Sequence, residues 1–358
     1  MAEINIINFL NSNLYMEDIE KLTKEAIHFD KLKDSSILIT WARGLIWSFL
    51  IDVLMHCNKK YQLNCKIYAL GSSDMGKERF KDYLDNQLFA YIKHDVNNVL
   101  NLDDKIDYVI HLASNTHPML YAKEPIKTIT TNIIGTYNLL NFAVSKNIKR
   151  FVFASSVEVY WENRKDVELF DENYCGYINS NTLRAWYPEG KRCWEALCQA
   201  FKEEKWLDIV IPRFSRIYWP TLLRNDSKAL SQFLFKAINN EDIILKSEGK
   251  QYYSYTYVYD AVYALLIIIL NWENGEAYNV SYPEADKRLY EIANIVAEGV
   301  GKKVIFDLPN ETERKGFSTA TIARMDNNKI KKIGFNPHFN MHDWVKRTID
   351  ILNDIDIG

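Results

Sequence analysis

The sequence predicts an α/β fold: a doubly wound parallel sheet with helices on both faces and a smaller C-terminal substrate lobe. Two observations carry this expectation. Short apolar runs rich in Ile, Val, Phe and Tyr recur up to about residue 214, and stretches of helical periodicity separate them. Runs that are apolar throughout, rather than alternating, mark parallel strands buried on both faces. Strands that alternate with helices pack each crossover helix against the sheet.

Residues 1–35 are polar and partly helical, an extension before the first strand. Residues 37–40 read as strand one and 45–55 as an apolar helix. Strand two is 66–70, strand three 89–94, and strand four 107–113, DYVIHLA. Residues 125–143 read as a long helix and 150–156, RFVFASS, as strand five. A further helix, 188–204, opens on Pro188, whose missing N–H costs nothing in a first turn. Strand six is 207–213, LDIVIPR, which closes a main domain of 36–214. The remainder, 215–358, is less regular and richer in Tyr, Asn and Lys. It reads as a substrate-covering lobe, with 258–270 returning to the main domain. Such a sheet takes ligands at the carboxyl ends of its strands.

Composition narrows the function. The net charge is −3 with 25% charged residues, which argues against nucleic acid as the main partner. The N-terminus has no basic segment followed by an apolar core, so no signal peptide is expected. The longest apolar run, 261–270, is too short to span a bilayer, so no membrane partner is expected. Cysteines at 57, 65, 175, 193 and 198 show neither Cys-x-x-Cys pairing nor His at metal spacing. Reduced thiols, a cytoplasmic location and no metal follow as expectations. Glycine is scarce, 13 of 358 against a usual ~7%, while tryptophan is high at 9.

The sharpest chemical signal is Tyr187-Pro-Glu-Gly-Lys191. Four residues apart on a helix, Tyr187 and Lys191 share a face. A nearby ammonium favours phenolate over phenol and prepares a general base. By itself the spacing is weak, since a chance surface pair is open to a chain with 22 tyrosines. Ser155 and Ser156, at the end of strand five, strengthen it. A serine there can hold the hydroxyl that the tyrosine deprotonates.

The stretches ITWARGLIWS, Asp95-Val96, HLAS at 111–114, TTNIIGT at 130–136, FASSVEVYW at 153–161, YPEGK and PRFSRIYWP at 212–220 arrive in a familiar order. Over roughly residues 36–350 the chain resembles the extended short-chain dehydrogenases/reductases, the NAD-dependent epimerase/dehydratase proteins that act on nucleotide sugars. RAWYPEGKRCWEALC looks most like the UDP-glucuronate decarboxylase branch. The resemblance implies a Rossmann-like domain, a tightly held NAD, a nucleotide-sugar substrate, and a homodimer formed through helices 125–143 and 188–204.

It also implies roles. Tyr187 matches the catalytic base, and Lys191 matches its partner, which also holds the nicotinamide ribose. Ser156 matches the catalytic Ser/Thr. Glu158 matches a glutamate of dehydratases and decarboxylases, although a solvated loop carboxylate is equally open. Thr40, Trp41, Gly44, Leu45, Ile46 and Trp47 form the phosphate-binding turn, with Ser72 after strand two. Asp95 and Val96 reach the adenine. Leu112, Ala113 and Ser114 end strand four beside the cofactor, Ser114 also beside substrate. Asn132 lies near the active site. Arg213 could meet a substrate phosphate or form a structural ion pair. The implied reaction is removal of a sugar 4-hydroxyl proton by tyrosinate as hydride passes from C4 to NAD; the 4-ketone then labilises C5 for epimerisation, dehydration or decarboxylation.

Three departures bear on the reaction. Strand two ends Ala69-Leu-Gly-Ser72 with no acid for the adenosine ribose, which leaves NAD against NADP open. Tyr253 stands where decarboxylase relatives usually carry an arginine, and Val157 where dehydratases carry an acid.

The tryptophans form a pattern of their own. The family turn is T-G-x-x-G-x-x-G, and here its first glycine is Trp41, its second Gly44 and its third Trp47. Trp161 follows VEVY, Trp219 sits in YWP, and Trp186 and Trp194 flank the Tyr187 motif. Trp206, in EEKWLD, occupies a helix-to-strand turn where glycine supplies positive φ. Trp272 and Trp344 lie in similar settings, LNWENG and HDWVK. Adding these nine to the 13 glycines brings glycine to about 6%, near the usual ~7%. Some bacterial lineages read UGA as glycine and others as tryptophan. A gene of the first kind, translated by the table of the second, carries Trp at a subset of its glycines. The glycine reading predicts strain or an occluded pocket at Trp41 and Trp47. The alternatives are a scaffold protein that has lost cofactor binding and an NADP-dependent reductase of another carbonyl.

Overall fold

Eight strands make the main sheet, and all their pairings are parallel. A computed structural model of the chain describes residues 8–111, 125–182, 185–218, 228–271, 273–308 and 321–355, without the side chains of Pro125, Lys127, Thr128 and Asn132. The strands among the described residues, in chain order, are β1 (Ser36–Thr40), β2 (Lys66–Gly71), β3 (Phe89–Lys93), β4 (Tyr108–His111), β5 (Arg150–Phe153), β6 (Ser155–Ser156), β7 (Ile209–Phe214), β8 (Arg216–Tyr218), β9 (Ile243–Leu245), β10 (Tyr252–Tyr253), β11 (Tyr255–Tyr257), β12 (Ala277–Val280), β13 (Lys287–Arg288), β14 (Val304–Phe306) and β15 (Ile322–Ala323). Across the sheet the order is β12-β7-β5-β4-β1-β2-β3, with β6 also pairing to β7. The chain leaves β1 in one direction for β2 and β3, then returns to lay β4 on the other side. The crevice beyond β1 and β4 is therefore the switch point where doubly wound sheets bind ligands.

The helices are α1 (Asn13–Thr23), α2 (Leu45–Tyr61), α3 (Met75–Arg79), α4 (Pro125–Ser145), α5 (Trp186–Lys205), α6 (Ala229–Ile238), α7 (Val258–Asn271), α8 (Leu289–Gly299), α9 (Asn328–Lys331) and α10 (Met341–Asp354). The period-two alternation of β1 sends Ile37 and Ile39 into one apolar core and Leu38 into the other. The first core is shared with α2 and α7, the second with α4 and α5. Every residue of α7 from Val258 to Leu270 is buried, which accounts for its unbroken apolar run. Helix α2 runs to Tyr61 rather than residue 55, because Cys57 and Asn58 continue its buried face.

Strand β7 contains Pro212, which has no amide hydrogen to give to a ladder. The amide of Ile211 donates to Glu276 O on the β12 side, so residue 212 faces the opposite side. There the pairing is interrupted: β5 meets β7 at Ile209 and Val210, and β6 resumes it at Arg213 and Phe214. That gap hands Ser155 and Ser156 to the carboxyl end of the sheet.

Two features extend the sequence reading. Beyond α7, the strand β12 also joins the main sheet, so the return runs past residue 270 to Val280. Residues 8–35 are an integral part of the fold. Asp52 on α2 is buried and accepts from Arg79 Nη2 at 2.5 Å, from Tyr83 at 2.9 Å and from Tyr15 of the extension. Asp18 on α1 accepts from Arg347 Nε of α10 at 2.7 Å and from Tyr257 at 3.0 Å.

Candidate active site

Helix α5 delivers Tyr187 and Lys191 to the carboxyl end of β5. Lys191 is 1% exposed, and its ammonium donates to Ala154 O at 2.8 Å. Its nitrogen lies 5.9 Å from the Tyr187 ring centre and 4.8 Å from that of Phe153. Burial pushes the lysine down to about 7, against an opposing pull from Glu195 and Cys198. Ala154 lies between β5 and β6, so the lysine is tied two residues from Ser156. The Ser156 hydroxyl accepts from the Glu158 amide at 3.3 Å, which shapes the turn Val157–Val159.

The two serines differ in use. Ser155 is buried and donates to Glu195 Oε1 at 2.5 Å. Glu195 also holds Arg213, at 3.0 Å to Nε and 2.6 Å to Nη2. Arg213 Nη1 donates to the Tyr160 hydroxyl at 2.8 Å and to Glu172 O at 2.7 Å. This engagement makes Arg213 a structural ion pair behind the site rather than a free phosphate ligand. Its fork is filled by a carboxylate and its edge by Tyr160, which in turn donates to Asn279 at 2.6 Å.

The nucleotide side of the crevice begins at Thr40. Thr40 is fully buried, and its hydroxyl is 3.0 Å from His111 Nδ1, while His111 Nε2 is 3.0 Å from the Thr136 hydroxyl. Thr40 thus fixes the end of β1 instead of presenting its side chain to a ligand. Burial, with a smaller push from Lys191, drives His111 down to about 3, so the bridge is made by a neutral imidazole. No local pattern marks this bridge, because its members are far apart along the chain. Asp95 is exposed, and its carboxylate accepts from the Asn97 amide at 3.0 Å, a turn that seats Val96 under α4. Ser72 is exposed just past β2. Arg43 reaches the start of α3 just beyond, with Nη1 2.9 Å from Met75 Sδ. Leu112, Ala113 and Ser114 and the Asn132 side chain lie outside the described residues.

The turn after β1 tests whether a dinucleotide fits. Gly44 is the N-cap of α2, which directs the helix's first-turn amides, from Leu45, Ile46 and Trp47, towards the crevice as an anion site. Residue 41 is left-handed, with φ 54°. This is the main chain a pyrophosphate requires. The side chain at 41 does not match it: the indole Cδ1 is 3.0 Å from where a Cβ on Gly44 would stand. It covers the glycine that should admit the phosphates.

The other tryptophans divide by conformation and by burial. Trp41, Trp161 and Trp206 have φ of 54°, 51° and 59°. A bulky residue held there costs of order 1–3 kcal/mol, and glycine costs nothing. Trp47, Trp194 and Trp344 are buried, and their Nε1 donors have no partner among the described residues. A buried donor left unpaired costs about 1–3 kcal/mol. Trp186 packs edge-on to Tyr187, with ring centres 5.5 Å apart. Trp219 and Trp272 lie outside the described residues. The left-handed backbone is present at Trp41, and at Trp47 an unpaired N–H in the core is joined by an indole Cδ1 3.1 Å from the same Gly44 Cβ position.

The NAD dependent epimerase/dehydratase family model matches residues 37–281. The chain belongs to this family. Among curated members, it is 30% identical to UDP-glucuronic acid decarboxylase 6 of Arabidopsis thaliana over 283 residues, covering 78% of this chain and 79% of that one. Among solved structures, the fold is similar to UDP-glucose 4-epimerase of Thermotoga maritima, with TM-score 0.74 and 21% identity over 88% of this chain and 98% of that one. UDP-glucuronic acid 4-epimerase of Bacillus cereus, solved with UDP-glucuronic acid and NAD, has TM-score 0.74 and 19% identity over the same shares. Family membership makes the chain an enzyme of the extended short-chain dehydrogenase/reductase type. Among the described residues no helix is long and apolar enough to cross a membrane, and no acidic, His and Cys group could hold a metal.

Proposed function

We propose that this family member modifies a UDP-sugar through a 4-keto intermediate, with UDP-glucuronate decarboxylation as its reaction. The observation that carries the reading is the buried Lys191 beside Tyr187, bonded to the end of β5 next to Ser156. The 30% identity to UDP-glucuronic acid decarboxylases supports the substrate. Tyr187 is the base that takes the proton of the sugar 4-hydroxyl. Lys191, when protonated, lowers the cost of the phenolate. Ser156 orients the hydroxyl, and Glu158 stands beside it to handle a proton at C5. Bound NAD supplies the hydride acceptor for C4.

We also propose that the working chain carries glycine at 41 and 47, and at the other seven tryptophan positions. The left-handed backbone at three of them and the unpaired indoles at three more support this. The gene gives a direct check: the reading requires UGA at these codons, and UGG at most of them would end it. A second cofactor reading, NADP, has one observation in its favour: the end of β2 through Ser72 carries no acid, and Arg43 reaches Met75 shortly beyond it. Titrating both dinucleotides decides between them.

The function is tested by incubating the glycine-restored chain with NAD and UDP-glucuronate and measuring CO₂ and UDP-pentose. Tyr187→Phe should lower kcat by about 10²- to 10⁴-fold while substrate still binds. Undiminished turnover in that variant would remove Tyr187 from its role.

A further inference from the structure

Arg216 begins β8, two residues beyond Phe214, the partner of Ser156 across the β6–β7 ladder. It therefore stands at the carboxyl edge of the sheet, beside the turn that carries Ser156 and Glu158. Its guanidinium carbon lies 3.8 Å over the centre of the Tyr253 ring. Its Nη2 is 3.6 Å from Glu158 Oε1, a charge contact longer than a hydrogen bond. Its Nε is buried with no hydrogen-bond partner among the described residues. The side chain as a whole is 29% exposed and that of Glu158 is 20% exposed.

The contrast with Arg213 is informative. Arg213 lies three residues earlier and spends its fork on Glu195 at hydrogen-bond distance. Arg216 is held against the Tyr253 ring, which fixes the plane of the guanidinium, and its Nε finds no partner among the described residues. A planar fork anchored on an aromatic face is suited to a bidentate oxyanion. Glu158 is close enough to balance the charge in the resting site and far enough to be displaced.

We propose that Arg216 binds an oxyanion of the substrate, the C5 carboxylate of a uronic acid or the diphosphate; only as the carboxylate's partner does it set specificity for a uronic-acid sugar. This rests on the nucleotide-sugar reading above. Docking of the oxyanion draws the guanidinium charge away from Glu158 and leaves that carboxylate available at the sugar.

The test uses the glycine-restored chain loaded with NAD and measures Kd by calorimetry for UDP-glucuronate, UDP-glucose and UDP. Arg216→Gln should weaken UDP-glucuronate about 10- to 100-fold, with NAD affinity unchanged as the check on folding. A loss confined to UDP-glucuronate identifies the carboxylate as the bound group; an equal loss for all three identifies the diphosphate. Arg216→Lys should recover part of the affinity, because it restores charge without the fork. Unchanged Kd for all three ligands in Arg216→Gln overturns the inference. If the parent chain binds NAD but none of the three, the nucleotide-sugar reading itself fails and takes this inference with it.

Discussion

At the scale of single residues, the tryptophans carry the most information. Trp206 is 88% exposed and left-handed, at the C-terminus of α5. It makes no core contact that glycine would lose, so Trp206→Gly isolates the backbone term. The substitution should raise stability by about 1 kcal/mol, seen as a higher Tm in thermal unfolding. A lower Tm would show that the indole is native there. Tyr187, Lys191 and Ser156 were legible in the sequence because a four-residue helical spacing and a strand-end serine are local patterns. Thr40, His111 and Thr136 were not, because their bridge joins two strand ends and a helix distant in sequence. The same holds for Arg213 and Arg216. Their neighbours in sequence say nothing of Glu195, which takes the Arg213 fork, or of Tyr253, on whose ring Arg216 lies.

At the scale of elements, strand and helix positions followed from the apolar runs, while their ends did not. Helix α2 overran its expected end because its buried face continued, and β12 escaped notice because four residues between polar segments carry little periodicity. Helix α4 leaves Ile126, Ile133, Ile134 and Tyr137 exposed at 77%, 40%, 44% and 52%. Their spacing places them on one helical face. An apolar stripe of this kind is suited to burial against a second copy, which supports the homodimer implied by the family resemblance. Light scattering should report a dimer for the parent chain and a monomer for a double variant, Ile133→Asp with Tyr137→Asp. A monomeric parent would remove the homodimer from the account.

At the scale of the whole molecule, the parallel sheet brings two half-sites to one edge. Beyond β1 and β2 lies a turn with the backbone of a pyrophosphate site, and beyond β5, β6 and β7 lie Ser156, Glu158, Lys191 and Arg216. In the second half these side chains converge, and in the first the indoles of Trp41 and Trp47 both crowd Gly44. Loss of function by drift would not single out glycine positions for tryptophan while sparing Ser156, Tyr187 and Lys191. The N-terminal extension adds to the same body, tied through Asp18 to α10 and through Tyr15 to Asp52.

The central claim is that the cofactor site works with glycine in the turn. NAD titration of two chains by calorimetry tests it: the sequence with Trp41, Trp47 and the other seven tryptophans, and the same sequence with all nine changed to glycine. Binding by the glycine chain alone is expected. Binding by the tryptophan chain would contradict the claim that the indoles obstruct the site, and failure of both would contradict the cofactor site itself.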